Sequence, residues 1–271
     1  MKRKYLLIAA ALTACAPESV DAQHEGHAAG NVPLYDNLGS HSYVITTSEP
    51  RAQEYFNQGL RLYYAFNHAE AIRAFRAAAA LDDRCAMCWW GEALSYGPNI
   101  NLPMDSASGV AAYAALREAQ ARIPYANPRE RALIDALATR YAEVPPADRA
   151  ALDSAYMRAM AALAAQYPED NEIATLYAES IMDLSPWYYW ERDGSPRPQT
   201  SELLSALERV VERDPDHPGA NHFYIHAVEA VDPQRAVTAA ERLAGLMPGA
   251  GHLVHMPGHI YVRVGRYRDA I

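Results

Sequence analysis

From about residue 48 onward, hydrophobic and polar residues alternate with the period of an α-helix. Ser48 and Pro50 precede a long amphipathic run, as at the capped start of a helix, and a second run begins near His68. Four more amphipathic runs, separated by turns that contain proline, lie at residues 129–141, 148–166, 171–183 and 200–213. No stretch keeps a period of two, and residues 43–46 are the only candidate for a strand. The pattern therefore predicts an all-α fold.

Small and aromatic residues recur in these helices at fixed offsets. The first set matches the positions of a tetratricopeptide repeat (TPR) and consists of Gly59, Ala71, Phe75 and Ala78. In this pattern small residues let two helices approach closely, and Phe75 fills the gap between them. A second set consists of Gly258, Tyr261, Gly265, Tyr267 and Ala270. The copies between them are degenerate, so we expect an α-solenoid of TPR-like helical hairpins over residues 48–271, truncated at its C-terminus because Ile271 leaves it without a capping helix.

The first residues resemble a bacterial lipoprotein signal. A basic start and an apolar stretch too short to span a membrane precede Cys15. We therefore predict a signal peptide at residues 1–14 and a flexible tether at residues 15–47 that begins with the lipidated Cys15. Ala16, rather than aspartate, after the cysteine implies a periplasmic protein with a lipid anchor in the outer membrane. The alternative is an ordinary secretory signal that happens to contain a cysteine.

Composition and charge exclude some classes of function. The chain has 271 residues, half of them hydrophobic, which is enough for a sizeable core. Its net charge is −9, and no basic run follows the first residues, so we exclude nucleic acid as a partner. The sequence has no glycine-rich nucleotide loop, no GxSxG motif and no paired-carboxylate motif. The commonest enzyme classes are therefore without support.

Candidate chemistry is concentrated near the C-terminus, where six of the ten histidines lie. On a helix, His252, His255 and His259 fall within an arc of roughly 60°. His222 and His226 lie one helical turn apart on an earlier helix. Two such stripes can converge on one metal ion, and imidazole suits Zn, Cu or Fe. The alternative is a polar groove whose histidines hydrogen-bond a bound peptide.

Glu229 lies three residues after His226, so it belongs to the same region of the chain. It could orient a histidine or act as a base, or it could be an ordinary solvated helix residue. No HExxH motif is present, so a zinc-peptidase mechanism has no support. Because metal ligation requires neutral imidazoles, we expect bound metal to be lost as the pH falls through about 6.

Cys85 and Cys88 form a CxxC motif. Three interpretations stay open: a disulfide, a pair of metal ligands, or two small buried residues at a repeat junction. Haem attachment needs histidine at the next position, where Trp89 stands instead. The helical context also does not suit a thioredoxin-like redox role.

Other polar and aromatic residues are candidates for a binding groove. Tyr224 and Tyr261 lie beside the histidines, and Asn99 and Asn101 lie in a rigid loop whose side-chain amides could hold a ligand. This loop could equally be a helix stop. The aromatic run at residues 186–190 is either a binding platform for a peptide or sugar, or a loop packed onto the helices.

The chain resembles bacterial TPR-containing lipoproteins or periplasmic proteins of uncharacterised function. The segments that carry the resemblance are residues 66–71, 85–91, 97–101 and 252–261. It implies the helical-repeat fold and no particular reaction. Our first hypothesis is an exported TPR scaffold whose concave groove binds a protein segment or small ligand in the cell envelope. The second is a metalloprotein or metal-dependent enzyme that uses the five histidines.

Overall fold

A computed structural model of the protein describes residues 32–271, which consist of an irregular N-terminal segment followed by α-helices, two short 3-10 helices and the turns between them. The α-helices within this range are α1 (Pro50–Tyr64), α2 (His68–Leu81), α3 (Ala86–Ser95), α4 (Ser106–Ala121), α5 (Pro128–Ala138), α6 (Ala150–Gln166), α7 (Asn171–Met182), α8 (Thr200–Arg213), α9 (Pro218–Val228), α10 (Val237–Leu246) and α11 (Gly251–Arg263). No strand occurs in residues 32–271, so the all-α prediction is confirmed there. None of the described helices is both long and apolar enough to cross a membrane. The predicted signal peptide and Cys15 lie outside the described residues.

The predicted helix boundaries agree closely with the observed ones. α2 begins at His68, and α8 spans residues 200–213 as predicted. The predicted N-cap of α1 is displaced by one residue, because Glu49 rather than Ser48 precedes the helix. The backbone N–H of Ser48 instead donates to the Asp82 carboxylate over 3.3 Å. The segment before α1 is therefore fixed by Asp82, in the turn after α2, and the helix has no side-chain cap.

Residues 32–47 are packed on α1 rather than forming part of a flexible tether. The backbone N–H of Tyr43 donates to the Asn57 side chain over 3.2 Å, and that of Ile45 donates to the Gln53 side chain over 3.0 Å. Tyr43 and Ile45 are both buried. Because side chains of a helix satisfy these backbone donors, residues 43–46 do not pair as a strand. Residues 32–47 therefore do not belong to a flexible tether, and the rest of the predicted tether lies outside the described residues.

Close packing around Phe75 brings α1, α2 and α3 together. The ring is fully buried and lies against Gly59 of α1 and Gly91 of α3, so close that a Cβ atom on either glycine would overlap it. The prediction that Phe75 fills a gap between helices at small residues is confirmed. Beyond this point each described helix contacts the next one along the chain.

The C-terminal end of α1 also packs against α9, a helix far away in the sequence. The ring of Tyr64 occupies the space beside Gly219 where a Cβ atom would be. The Tyr64 hydroxyl donates to Glu172 of α7, and the Tyr63 hydroxyl donates to Glu179 of α7 over 2.6 Å. The end of α1 is therefore enclosed by α7 and α9, and this closure positions the site described below.

Cys85 and Cys88 form a disulfide at the start of α3. Both residues are fully buried, and the sulfur of Cys85 accepts a hydrogen bond from the backbone N–H of Cys88 over 3.1 Å. Of the interpretations that the sequence leaves open, the structure therefore contains the disulfide. The alternative in which the two thiolates bind a metal is therefore not the one that the structure contains.

Candidate metal site

α9 carries two of the candidate histidines into the interior of the protein. Every residue of this helix is buried. α11 lies beside α9 and carries three more. The structure thus brings together all five histidines of the two predicted stripes, which are His222, His226, His252, His255 and His259.

Three of these histidines converge within the reach of one metal ion. One ring nitrogen from each of His222, His226 and His252 lies within 4.8 Å of the other two. The Nε2 atoms of His222 and His252 are 3.0 Å apart. Two nitrogens bound at about 2.0–2.1 Å to a tetrahedral metal lie about 3.3 Å apart. The spacing of this pair is therefore close to that of two ligands on one ion.

Hydrogen bonds fix which nitrogen of each buried ring carries the proton. The Nδ1 atom of His222 lies 2.7 Å from the backbone carbonyl of Tyr64, which can only accept. The Nδ1 atom of His226 lies 3.3 Å from the carboxylate of Glu229. Both rings therefore donate from Nδ1, and a neutral imidazole then has its lone pair at Nε2. This is the tautomer that binds a metal through Nε2.

Burial keeps these rings neutral. It lowers the pKa of His222 well below its ordinary value and lowers that of His226. Burial, together with the neighbouring histidines, lowers the pKa of His252 to about 4. Within the described residues the buried Nε2 of His226 has no hydrogen-bond partner. Since the pKa of each of these three rings lies below its ordinary value, metal release is expected at a lower pH than ordinary histidines would give.

Phe66 covers one side of the three-histidine group. Its ring lies 4.6 Å from the ring of His222, and it is stacked on those of His226 and His252 at 6.1 and 5.3 Å between centroids. Phe66 has a φ of 55°, in the left-handed region that bulky residues rarely adopt. The sequence gives no sign of this role for Phe66, because the contact depends on the backbone of the turn between α1 and α2.

Glu229 is a buried carboxylate at the centre of the cluster, so its interpretation as a solvated residue is wrong. Its two oxygens lie 3.3 Å from Nδ1 of His226 and 2.8 Å from Nδ1 of His259. Burial alone would raise its pKa, but hydrogen bonds from these two histidines lower it to about 2. Arg263 adds a contact of 3.3 Å to the same carboxylate. Glu229 is therefore an anion that orients two histidines.

A cavity of about 870 Å³ opens beside the cluster. His226, His255 and His259 form part of its wall, and another part is aromatic. Trp187 lies edge-on to the His226 ring at 4.9 Å, and its indole N–H donates to the carbonyl of Ile100 over 2.8 Å. The aromatic run at residues 186–190 therefore packs onto the helices and also lines the cavity.

The remaining predicted groove residues lie in different places. Tyr261 borders the histidine cavity, whereas the buried Tyr224 donates its hydroxyl proton to Glu208 over 2.8 Å. Asn99 and Asn101 line a separate cavity of about 770 Å³. The Asn99 side-chain oxygen accepts from the backbone N–H of Asn101 over 2.9 Å, so it closes the loop as a turn. The structure therefore brings one of these four residues to the histidines.

A second group of possible ligands consists of His41, Glu172 and His217. Its hydrogen bonding does not suit a metal. The Nδ1 atom of His217 accepts from the backbone N–H of Ala220 over 3.1 Å, so a neutral ring carries its proton at Nε2, which faces Glu172 at 3.2 Å. Burial would lower the pKa of His41, but Glu172 at 2.7 Å outweighs it and raises that pKa. This group is an ion-pair network that holds residues 32–47 on the helices.

No protein-family model and no curated protein matches the chain. The fold and the site therefore define only a class: an all-α protein with a group of histidines that could hold a metal ion between two helices.

Proposed function

We propose that the protein binds a transition metal ion through Nε2 of His222, His226 and His252. The observation that carries the proposal is the convergence of three neutral imidazoles, two of them held in the metal-binding tautomer. An all-imidazole set suits Zn, Cu or Fe. Three protein ligands also leave at least one position of a four-coordinate ion for water or another ligand.

Burial favours this proposal over a groove of histidines that hydrogen-bond a peptide. His222 and His226 are almost completely buried, so a peptide in the cavity would contact mainly His255 and His259. A buried polar atom left without a partner costs about 1–3 kcal/mol. The Nε2 atom of His226 is such an atom within residues 32–271, and a bound metal would satisfy it.

Metal retention tests the proposal. The purified full chain is stripped with a chelator, incubated separately with Zn²⁺ and Cu²⁺, desalted and analysed by plasma mass spectrometry. We expect the wild type to retain at least one equivalent. His252→Gln is expected to lower the affinity by more than the roughly 10–100-fold that loss of a supporting partner costs, because it removes a ligand. His252 is only partly buried, so this variant should fold.

The matched control is His68→Gln. His68 is well shielded and is stacked on Tyr63 at 5.0 Å between ring centroids, outside the three-histidine group. We expect this variant to retain metal as the wild type does. Circular dichroism checks that His68→Gln and His252→Gln are both folded. Failure of the wild type to hold any metal would overturn the proposal, and so would equal retention by His252→Gln.

A second candidate function is ligand binding in the cavity beside the histidines. The observation that favours it is the aromatic wall, where the ring of Trp187 is 49 % exposed. We propose that this cavity takes a protein segment or small ligand. The stacking of successive helices and the packing of Phe75 support a TPR-like array of hairpins around it. Export, the lipid anchor at Cys15 and a partner in the cell envelope stay predictions from the sequence.

A further inference from the structure

His255 and His259 form a second set of nitrogen donors beside the first. They lie one turn apart on α11, and their Nε2 atoms are 2.8 Å apart. His255 is exposed and the side chain of His259 is 28 % exposed, and both line the 870 Å³ cavity. Neither belongs to the group of three whose nitrogens fall within 4.8 Å of one another. One ion held by that group therefore leaves these two donors unused.

The carboxylate of Glu229 connects the two sets. One oxygen accepts from Nδ1 of His226 and the other accepts from Nδ1 of His259, over 3.3 and 2.8 Å. Each neutral ring then has its lone pair at Nε2. A single buried anion thus prepares one histidine of each set as a ligand. The two ring centroids are 6.0 Å apart, so the sets are adjacent.

We propose that the five histidines form a two-metal centre. His222, His226 and His252 hold a buried ion, and His255 and His259 hold a second ion that faces the cavity. The inference rests on the proposed function, because the second ion is placed beside the first. Metal pairs in proteins lie about 3.5–4 Å apart, which suits adjacent ligand sets of this kind.

Charge predicts that the two ions bind with different affinity. All five ligands are imidazoles, which bring no charge to a bound metal, and the carboxylate between the two sets, Glu229, is also contacted by Arg263 at 3.3 Å. A second divalent cation is therefore repelled by the first with little compensation from the protein. It also has two protein ligands instead of three. The cavity-facing ion should bind more weakly, with water or an anion completing its coordination.

A titration with Co²⁺ tests the two-metal centre. The chelator-stripped full chain is titrated and followed by visible absorption and by calorimetry. We expect two equivalents in the wild type, with the second at least tenfold weaker. His255→Gln should lose the weaker step and keep the tight one, since His255 is an exposed surface residue. His252→Gln should lose the tight step.

The control removes two histidines that lie far from the cluster in the sequence, by His24→Gln together with His27→Gln. We expect both steps to be kept, and loss of the weaker step here would overturn the two-metal centre. A single equivalent in the wild type would also overturn it, and the proposed function would stay in place if His252→Gln abolishes that step. Absence of any binding would overturn both.

Discussion

The hydrogen-bond partner of each ring nitrogen determines whether a histidine can bind a metal. His217 and His222 are five residues apart, yet they are held in opposite tautomers. His217 accepts at Nδ1 from the backbone of Ala220, whereas His222 donates from Nδ1 to the carbonyl of Tyr64. One therefore presents a proton at Nε2 and the other a lone pair. The spacing of histidines in the sequence does not contain this difference.

Protonation of His252 should couple stability to pH. Its pKa is about 4 in the folded protein and has the ordinary value of 6.5 in the unfolded chain. As the pH falls from 6.5 to 4, only the unfolded chain takes up this proton, so the free energy of unfolding falls. We expect a loss of about 1 kcal/mol rather than the full value of the pKa difference, since solvent screens a partly exposed ring.

Denaturant unfolding of the metal-free protein at pH 7.5, 6, 5 and 4 measures this loss. The control is His252→Gln, which cannot take up the proton and should lack this part of the pH dependence. Identical pH profiles for the wild type and the variant would contradict the assigned pKa of His252.

Some residues of the candidate site can be predicted from the sequence and others cannot. The histidine spacing predicts the five candidate ligands, because residues three and four apart share a helix face. Phe66 and the buried state of Glu229 do not follow from the sequence. Phe66 reaches the histidines through a positive φ, and Glu229 is buried because α11 packs over it. Both depend on contacts between segments far apart in the chain.

Among the secondary-structure elements, the helical period of hydrophobic residues predicts where the helices lie. The positions of glycine residues determine how closely those helices pack. Gly91 and Gly245 both lie inside helices, in α3 and α10. A Cβ atom on Gly91 would overlap the ring of Phe75, whereas one on Gly245 would meet nothing within 4 Å. The same substitution should therefore act in opposite directions at these two positions.

We expect Gly91→Ala to destabilise the protein by about 1–3 kcal/mol, because the fully buried ring of Phe75 cannot move without strain. Gly245→Ala is the matched control and should stabilise by up to about 1 kcal/mol, because alanine loses less backbone freedom in a helix. Thermal or denaturant unfolding measures both. A neutral or stabilising Gly91→Ala would show that α1, α2 and α3 do not pack closely around Phe75.

The whole molecule depends on the contact between α1 and α9. The carbonyl of Tyr64, at the end of α1, orients His222 of α9, and residues 32–47 pack across the same region. The backbone N–H of Gly249, just before α11, donates to the carbonyl of Asn37 over 2.8 Å. Periodicity predicts individual helices but not this long-range closure, which is why the packing of residues 32–47 on the helices does not follow from the sequence.

Metal binding should therefore stabilise a region larger than the ligands. Ligand binding to the folded state alone adds about 2.7 kcal/mol at a concentration 100 times Kd. We expect Zn²⁺ at that ratio to slow amide hydrogen exchange by up to about 100-fold in α9, α11 and the last turn of α1. α4 and α5 serve as an internal control and should change little, because they lie away from the cluster. Protection confined to α9 and α11 would contradict coupling through Tyr64.

The position of Phe66 has a consequence for the kinetics of metal exchange. Its ring blocks one side of the three buried histidines, and the buried helix α9 blocks another. Another side faces the aromatic-walled cavity, which His226, His255 and His259 line. An ion that enters through this cavity would therefore meet the cavity-facing histidines first. An ion that leaves through it would pass the same two histidines, so a substitution of His255 would change the rates of both loading and release.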